Sequence, residues 1–262
     1  MSDYVLTEVH EHVATLLVNR PKVNAFNAET VSALRKALQK AARDPQVRVI
    51  VLGGAGGNFS AGQDLQEFAE AQETSVSYRR HLAQTYSPLV LELRQIEKPV
   101  LAAIEGAAAG AALGVALACD LRVAAETARF WVGFLGIGLA PDSAVSLLLP
   151  HLIGLGRAAE FAFTNAPISA EQALAWGMVN RVVPAASALS AAQSWAAELA
   201  RGPVKAMGLT KRAFNRAILP HLREVLDYEG HLQEIAGRGA EHREGVRAFL
   251  EKRAPDFLKA AS

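Results

Sequence analysis

The chain has 262 residues, of which 51% are hydrophobic and 20% are charged, and its formal net charge is +1. A chain of this length and composition folds as a globular protein and can bury a core without disulfides or a metal ion. The interspersed charges argue against a basic arm for nucleic acid and against a polybasic patch for a membrane surface. We therefore expect no nucleic-acid partner and no membrane partner.

Cys119 is the single cysteine, which excludes an intrachain disulfide and indicates a reducing compartment. Residues 1–13 are polar and include acidic side chains, unlike a secretory signal or an Arg-rich transit peptide. We therefore expect a cytoplasmic protein. The most apolar stretch, residues 99–118, contains Glu105 and predicts a buried strand followed by a buried helix rather than a membrane span.

The first part of the chain alternates predicted strands and helices. Residues 4–19 alternate and are rich in β-branched side chains, which predicts a pair of strands. Asn27 can cap a helix whose apolar residues follow the helical period, and Asp44 before Pro45 ends it. Residues 47–53 form a continuous apolar run, as buried strands do.

The same alternation continues towards the middle of the chain. Helices are predicted over residues 75–96 and 110–119, and strands over residues 100–104 and 122–125. Apolar strands alternating with helices indicate an α/β fold whose strands are largely buried.

The second half of the chain is predicted to be mostly helical. Helices are expected over residues 143–151, 157–163, 170–176, 185–200, 203–218, 222–235 and 241–252, and one short strand over residues 178–183. We therefore divide the chain into a core, residues 1–200, which holds the site, and a C-terminal helical region, residues 201–262.

Two glycine-containing turns follow two of the predicted strands, Ala-Gly-Gln at residues 61–63 and Ala-Gly-Ala at residues 109–111. Ligands of α/β proteins collect beyond the carboxyl ends of strands, where glycine lets the backbone approach them closely. Two N–H groups aimed at one carbonyl oxygen would form an oxyanion hole. From the residues alone, ordinary tight turns are the simpler interpretation.

Asp142 follows Pro141 in an apolar stretch, at the start of the helix predicted from Ser143. Its side chain could simply cap that helix. Alternatively, a carboxyl group held in an apolar pocket has a raised pKa and can act as a base. Both interpretations hold together only if the side chain faces the pocket. The seven histidines show no spacing typical of metal ligands, and we expect no metal site.

Several segments resemble, in their order along the chain, the crotonase (enoyl-CoA hydratase/isomerase) superfamily. They are FSAGQDL at residues 59–65, KPVLAAIEGAAAGAALG at residues 98–114, CDLRVAAETARF at residues 119–130, and EGVRAFLEKRAPDF at residues 244–257. With LGIGLAPDS and AGRGAEHREGVRAFLEKR, the chain is most similar to the branch that isomerises 1,2-epoxyphenylacetyl-CoA in phenylacetate degradation.

The resemblance implies a crotonase-like spiral of ββα units and a C-terminal α-helical region that mediates assembly into a homotrimer or a dimer of trimers. It implies that the backbone N–H groups of Gln63 and Ala111 form the oxyanion hole for a thioester oxygen. Asp142 would be the acid/base of the reaction. The substrate would be an acyl-CoA, and no cofactor beyond its CoA moiety is expected.

The resemblance also implies a set of CoA contacts. The backbone around Ala61, Asp64 and Leu65 would lie near the adenine and pantetheine of CoA. Phe249 and Lys252 match positions that help to bind the CoA nucleotide in the family, often from a neighbouring subunit. A cation at Lys252 suits a phosphate. From the residues alone, Lys252 is a solvated charge on an amphipathic helix.

The chain departs from the family's hydratases at both of their glutamates, which fall on Gly114 and Phe134. Neither side chain can accept a proton or hold a water molecule. Hydration needs both activation of water and protonation of carbon, whereas moving a proton between two carbons needs one base that takes it and returns it. We therefore expect an acyl-CoA isomerase that acts through an enolate.

Further departures leave the acyl group and the reaction partly open. Ala144, Val145 and Ser146 replace a family Gly-Gly-Thr, and the segment RPKVNAFN is one residue shorter than the common pattern. A hydratase with atypical residues and a non-catalytic acyl-CoA-binding subunit remain as alternatives. Dehalogenation is disfavoured, because the position of the dehalogenases' histidine falls on Ser87, and His81 lies about two turns away.

Overall fold

The computed structural model describes residues 4–65 and 77–261, and confirms a mixed α/β fold. The strands are β1 (Val5–His10), β2 (Val13–Val18), β3 (Val49–Gly54), β4 (Val100–Ile104), β5 (Ala107–Ala109), β6 (Leu121–Ala125), β7 (Arg129–Trp131), β8 (Ile168–Ser169) and β9 (Arg181–Val183). The helices up to residue 164 are α1 (Ala28–Arg43), α2 (Tyr78–Gln84), α3 (Tyr86–Gln95), α4 (Ala111–Ala118), α5 (Val145–Ile153) and α6 (Leu155–Thr164). The later helices are α7 (Ala170–Ala175), α8 (Ala188–Ala200), α9 (Val204–Ile218), α10 (Leu222–Gly237), α11 (Ala240–Leu250) and α12 (Phe257–Ala261).

The main sheet has six strands in the order β1-β2-β3-β4-β6-β9. The hairpin partner β1 is antiparallel to β2, and the other neighbours are parallel. Parallel strands need crossover connections, and the helices that supply them cover both faces of the sheet. The carboxyl ends of β3, β4 and β6 therefore lie at one edge, where ligands of such sheets bind.

Alternate residues of each strand belong to two hydrophobic cores, one on each face of the sheet. In β3, Val49 and Val51 pack with the alanines of α8 at positions 188, 192, 196 and 200, whereas Ile50 and Leu52 pack with α1, α3 and α4. This is the two-residue period of a strand buried on both faces. The small side chains of α8 let that helix lie close to the sheet.

Helix α1 begins and ends where the sequence predicts. Asn27 Oδ1 accepts a hydrogen bond from the backbone N–H of Thr30 at 2.9 Å, and the helix ends at Arg43, directly before Asp44-Pro45. The predicted helix over residues 75–96 is instead two helices, α2 and α3, separated at Thr85, whose φ/ψ of −114°/−83° is not helical. Residues 75 and 76 of that prediction lie outside the described residues.

A second, three-stranded sheet with the order β5-β7-β8 was not predicted from the sequence. Its strands have only two or three residues each, too few to show an alternating pattern. The isolated bridge between Ser60 and Ala108 ties the segment after β3 to this sheet. The sheet thereby holds together the two glycine-containing turns.

The C-terminal helices pack against the core as well as against each other. Helix α10 lies along α2 and also contacts α3 and α5. Two of its polar side chains, Glu229 and Gln233, are buried in that contact, with exposures of 2% and 1%. Among the described helices, none has the length and hydropathy required to cross a membrane.

Candidate active site

A cavity of about 1210 Å³ lies where the segments after β3, β4 and β7 meet α2, α10 and α11. Gln63, Ala111 and Asp142 all line it, although they are far apart in the sequence. The three residues proposed for catalysis from the sequence are therefore brought together by the fold.

The two glycine-containing turns are in direct contact at this cavity. Gly62 has a φ of +88°, and a β-carbon there would lie 2.6 Å from the carbonyl oxygen of Ala109 and 3.6 Å from the amide nitrogen of Ala111. Only glycine fits so close a backbone approach at that φ. The two turns therefore pack backbone against backbone, which ordinary tight turns do not require.

The backbone amides of Gln63 and Ala111 are suited to act as donors to a ligand. The hydrogen bonds from Phe26 N–H to Gly62 O and from Asp64 N–H to Phe26 O, 2.7 and 2.9 Å long, fix the chain on both sides of Gln63. Ala111 is the first residue of α4, where amides have no partner within the helix. Over the described ranges 4–65 and 77–261, neither amide donates to another protein group.

The Gln63 side chain is anchored by Tyr86, which the sequence did not single out, and by His81, which was weighed only in connection with dehalogenation. Its Oε1 accepts a hydrogen bond from Tyr86 O–H at 2.6 Å and another from His81 Nε2 at 3.1 Å, because an amide oxygen can only accept. Burial lowers the pKa of His81, so its ring is neutral near pH 7. His81 thus holds Gln63 in place.

The Asp142 carboxyl group is buried against the cavity, with 7% of the residue exposed. Its Oδ1 accepts from Ser143 Oγ at 2.6 Å, and its Oδ2 accepts from Gln233 Nε2 at 2.9 Å. Burial raises the pKa of the carboxyl to about 7, and the nearby Glu229 raises it as well, while the two hydrogen bonds act against the shift. A carboxyl group with this pKa can take up and release protons near neutral pH.

Asp142 does not cap α5 with its side chain, which corrects one of the two interpretations of this residue. The helix begins at Val145, after two left-handed residues, Ser143 at φ 56° and Ala144 at φ 63°. Such conformations cost about 1–3 kcal/mol each in non-glycine residues and persist where their surroundings enforce them. Here the backbone turn directs the Asp142 side chain away from the helix end and into the cavity.

Glu229 of α10 takes the place of a capping side chain. Its carboxylate accepts from Ala144 N–H at 2.8 Å, from Ser146 N–H at 3.1 Å and from the Ser146 hydroxyl. Burial raises the pKa of Glu229 to about 7, whereas these three donors favour its ionised form. A residue more than eighty positions away thus completes the N-terminus of α5.

The two positions at which family hydratases would carry glutamates cannot supply a carboxylate here. A β-carbon on Gly114 would lie 2.5 Å from the carbonyl oxygen and 2.6 Å from the β-carbon of Ser143, so no side chain fits without moving that turn. Phe134 lines the cavity, and its side chain is a hydrocarbon ring without an acceptor. Water activation by these two positions is therefore excluded.

The residues expected at CoA lie in two parts of the cavity. Ala61, Asp64 and Leu65 line it, and Asp64 is fixed by an ion pair with Arg20 at 2.6 Å. Phe249 also lines the cavity, with 57% of the residue exposed. Lys252 is not among the lining residues. Its predicted contact with CoA stays a prediction.

Further polar residues of the cavity were missed by the sequence reasoning. The Tyr78 hydroxyl bonds to His242 Nε2, and His242 Nδ1 donates to the carbonyl oxygen of Ile137 at 2.7 Å. Burial lowers the pKa of His242 and so favours its neutral ring. No local pattern marks such residues, because the groups they contact lie far away in the sequence.

Comparisons with known proteins agree on one family. The family model for enoyl-CoA hydratase/isomerase matches residues 8–260. The 1,2-epoxyphenylacetyl-CoA isomerase of Escherichia coli (strain K12) is 40% identical over 98% of this chain and 99% of its own. A probable enoyl-CoA hydratase of Rhodobacter capsulatus is 39% identical over 95% of this chain and 96% of its own.

A solved structure confirms the crotonase-type fold that the sequence resemblance implied. It is the crystal structure of an enoyl-CoA hydratase from Mycobacterium avium subsp. paratuberculosis K-10, which is 32% identical and superposes with a TM-score of 0.87. The match covers 97% of this chain and 98% of the other. The chain therefore belongs to the enoyl-CoA hydratase/isomerase family.

Proposed function

We propose that this protein is an acyl-CoA isomerase that shifts a double bond, or rearranges a ring epoxide, in a CoA thioester. The observation that carries the proposal is the combination in one cavity of two donor amides, Gln63 and Ala111, with a single buried carboxyl group, Asp142, as the base. The similarity to an epoxyphenylacetyl-CoA isomerase supports the proposal.

The reaction begins with the thioester carbonyl oxygen between the N–H groups of Gln63 and Ala111. Loss of a proton next to the carbonyl forms an enolate and places negative charge on that oxygen. Each fixed donor is worth about 3 kcal/mol in such a transition state. The close contact of Gly62 with the second turn supports a preformed pair of donors.

Asp142 takes the proton from one carbon of the substrate and returns it to a conjugated carbon. A base works best when its pKa is near the working pH, and the pKa of about 7 meets that condition. Because the same carboxyl group gives back what it took, no second acid is required. For an epoxide, the two donor amides would stabilise charge while the ring expands to an oxepin.

The two alternatives to isomerisation differ from it in what the cavity must supply. A hydratase needs a group that activates water, and neither Gly114 nor Phe134 provides one. A non-catalytic acyl-CoA-binding subunit would not need a buried carboxyl group, which is costly to maintain beside apolar walls. The geometry therefore favours the isomerase.

We further propose that CoA lies along Ala61, Asp64 and Leu65, with Phe249 at its nucleotide end and Lys252 contributing from a neighbouring subunit.

Large apolar side chains exposed on the C-terminal helices support a homotrimer or a dimer of trimers. They are Leu209, Phe214, Ile218, Tyr228, Ile235, Phe249, Leu250 and Leu258. Sedimentation at micromolar concentration measures the assembly, and a monomer would contradict it.

The test of the proposed function is Asp142→Asn, assayed with a 3-enoyl-CoA and with an epoxide thioester. We expect kcat to fall about 10²- to 10⁴-fold with little change in KM, because the amide cannot accept a proton. Crotonyl-CoA is the control substrate for hydration, followed by the loss of its conjugated absorbance. Near wild-type isomerisation by the variant, or rapid hydration of crotonyl-CoA by the wild type, would overturn the proposal.

A further inference from the structure

We propose that Glu229 and Gln233, one turn apart on α10, are positioning residues that hold the Asp142 base from opposite sides of its turn, Gln233 by a direct hydrogen bond and Glu229 by holding the residues that follow. The inference rests on the proposed role of Asp142. It goes further in assigning to the C-terminal helical region a role at the reacting carboxyl group, in addition to the assembly and CoA contacts that the family resemblance implied.

Gln233 holds Asp142 and the chain before it together. Its Nε2 donates to the carbonyl oxygen of Ala140 at 2.5 Å and to Asp142 Oδ2 at 2.9 Å. One amide group thus fixes both the backbone approach to Asp142 and the plane of its carboxylate. With Ser143 Oγ on Oδ1, each carboxylate oxygen has one defined donor.

Glu229 holds the chain after Asp142. Its three hydrogen bonds to Ala144 and Ser146 fix the left-handed turn that begins at Ser143. That turn is what brings the Ser143 hydroxyl back onto Asp142 Oδ1. Helix α10, which packs against α5, therefore fixes the conformation of this turn.

A purely structural role explains this arrangement poorly. A carboxylate whose residue is only 2% exposed is costly to bury, and the left-handed turn that it holds is costly as well. In addition, the Oε1 of Gln233 is buried and, in the part of the chain that the structure describes, has no hydrogen-bond partner. An apolar side chain would fill that space more favourably unless the Nε2 donor were required.

Glu229 also acts on Asp142 through its charge. When Glu229 is ionised, its negative charge raises the pKa of Asp142, in the same direction as burial does. The hydrogen bond from Gln233 lowers the pKa of Asp142. The two residues of α10 therefore pull the basicity of Asp142 in opposite directions.

The other titratable groups that line the cavity make no hydrogen bond or ion pair with Asp142 in the described part of the chain. They are Tyr78 and His81 of α2, Tyr86 of α3, Glu241 and His242 of α11, and Arg20, Asp64 and Arg253 on connecting segments. Burial lowers the pKa of both histidines, so they are neutral near pH 7. Asp64 is paired with Arg20, and Arg253 is paired with Glu244.

The test compares Glu229→Gln and Gln233→Met with Glu224→Gln, which removes an exposed carboxylate from the same helix. Two readouts are used: the acid limb of the pH profile of kcat, and the infrared carbonyl band of protonated Asp142, assigned by its loss in Asp142→Asn. We expect both to move about one pH unit lower in Glu229→Gln and to higher pH in Gln233→Met. The control is expected to leave both in place, and kcat is expected to fall about 10- to 100-fold in the two test variants.

Opposite shifts would support the inference, because loss of a structural contact alone would not move the titration in two directions. Shifts in the same direction, or no shift in either variant, would overturn it. If Glu229→Gln does not fold, Gln233→Met decides alone, and an unmoved titration refutes the inference. The infrared titration needs no substrate. If the wild type isomerised none of the substrates, the proposed function would be wrong, and the effect of Glu229 and Gln233 on Asp142 could still be measured.

Discussion

The two halves of the site are built in contrasting ways. The donor half consists of backbone amides in two turns, with Gln63 nine residues after the end of β3 and Ala111 two residues after the end of β5. The acid half consists of side chains, and its geometry depends on α10, some ninety residues further along the chain. Main-chain groups are positioned by the fold itself, whereas the orientation and pKa of a carboxylate require neighbours that only tertiary packing supplies.

The contrast predicts its largest effect at Gly62. Gly62→Ala places a β-carbon 2.6 Å from the Ala109 carbonyl oxygen at a φ of +88°, so the two turns must separate. We expect kcat/KM to fall about 10²- to 10³-fold, as when an oxyanion-hole donor is lost.

The matched control is Gly156→Ala in α6, where a β-carbon meets nothing within 4 Å. It should keep full activity and gain up to about 1 kcal/mol of stability, because alanine favours a helix over glycine. Steady-state kinetics and thermal unfolding measure both variants. Full activity in Gly62→Ala would show that close contact of the turns is not needed.

The second prediction concerns the acid half and is read from stability. Burial raises the folded-state pKa of Asp142 from 3.8 to about 7, so between these values the native state binds more protons than the unfolded state. The contribution of this carboxyl to stability is therefore most favourable below pH 4 and is lost as the pH rises towards 7.

Asp142→Asn removes the free-energy cost of ionising this buried carboxyl group. We expect its Tm to exceed that of the wild type at pH 8, with the difference shrinking as the pH falls towards 4. Scanning calorimetry across this range measures it, with Glu224→Gln as the control for loss of an exposed carboxylate. A difference in Tm that does not change with pH would mean that folding does not raise the pKa of this carboxyl.

The smallest effect is expected at Tyr86, which supports the donor half indirectly. Tyr86→Phe removes one of the two hydrogen bonds to Gln63 Oε1 and leaves the one from His81. We expect a loss of about 1 kcal/mol of stability and a several-fold decrease in kcat/KM. If kcat/KM fell further in Tyr86→Phe than in Gly62→Ala, the Gln63 side chain would matter more for activity than the close contact of the two turns.

The contrast also explains what could be predicted from the sequence. Asn27 marks the start of α1 and the apolar runs mark β3 and β4, because these signals are local. The resemblance to a family supplied Gln63, Ala111 and Asp142, and the structure brings all three to one cavity.

What sequence reasoning missed depends on distant partners. Glu229 and Gln233 lie among other polar residues of an amphipathic helix, and only packing of α10 on α5 distinguishes them from solvated ones. The break at Thr85, in contrast, has a local signal in Pro88, which fits only the first turn of a helix because it has no N–H to donate and so indicates a new helix start near residue 86. The strands β5, β7 and β8 are too short for any pattern.

The contact between Gly114 and Ser143 bears on how this site could evolve. Because α4 touches the turn after Asp142 through a bare α-carbon, a glutamate cannot be introduced at position 114 by one substitution while that turn keeps its shape. Acquiring water-activating chemistry would require coordinated changes in α4, in the turn and in α10, which holds the turn. A change to a hydratase would therefore take several substitutions that depend on one another.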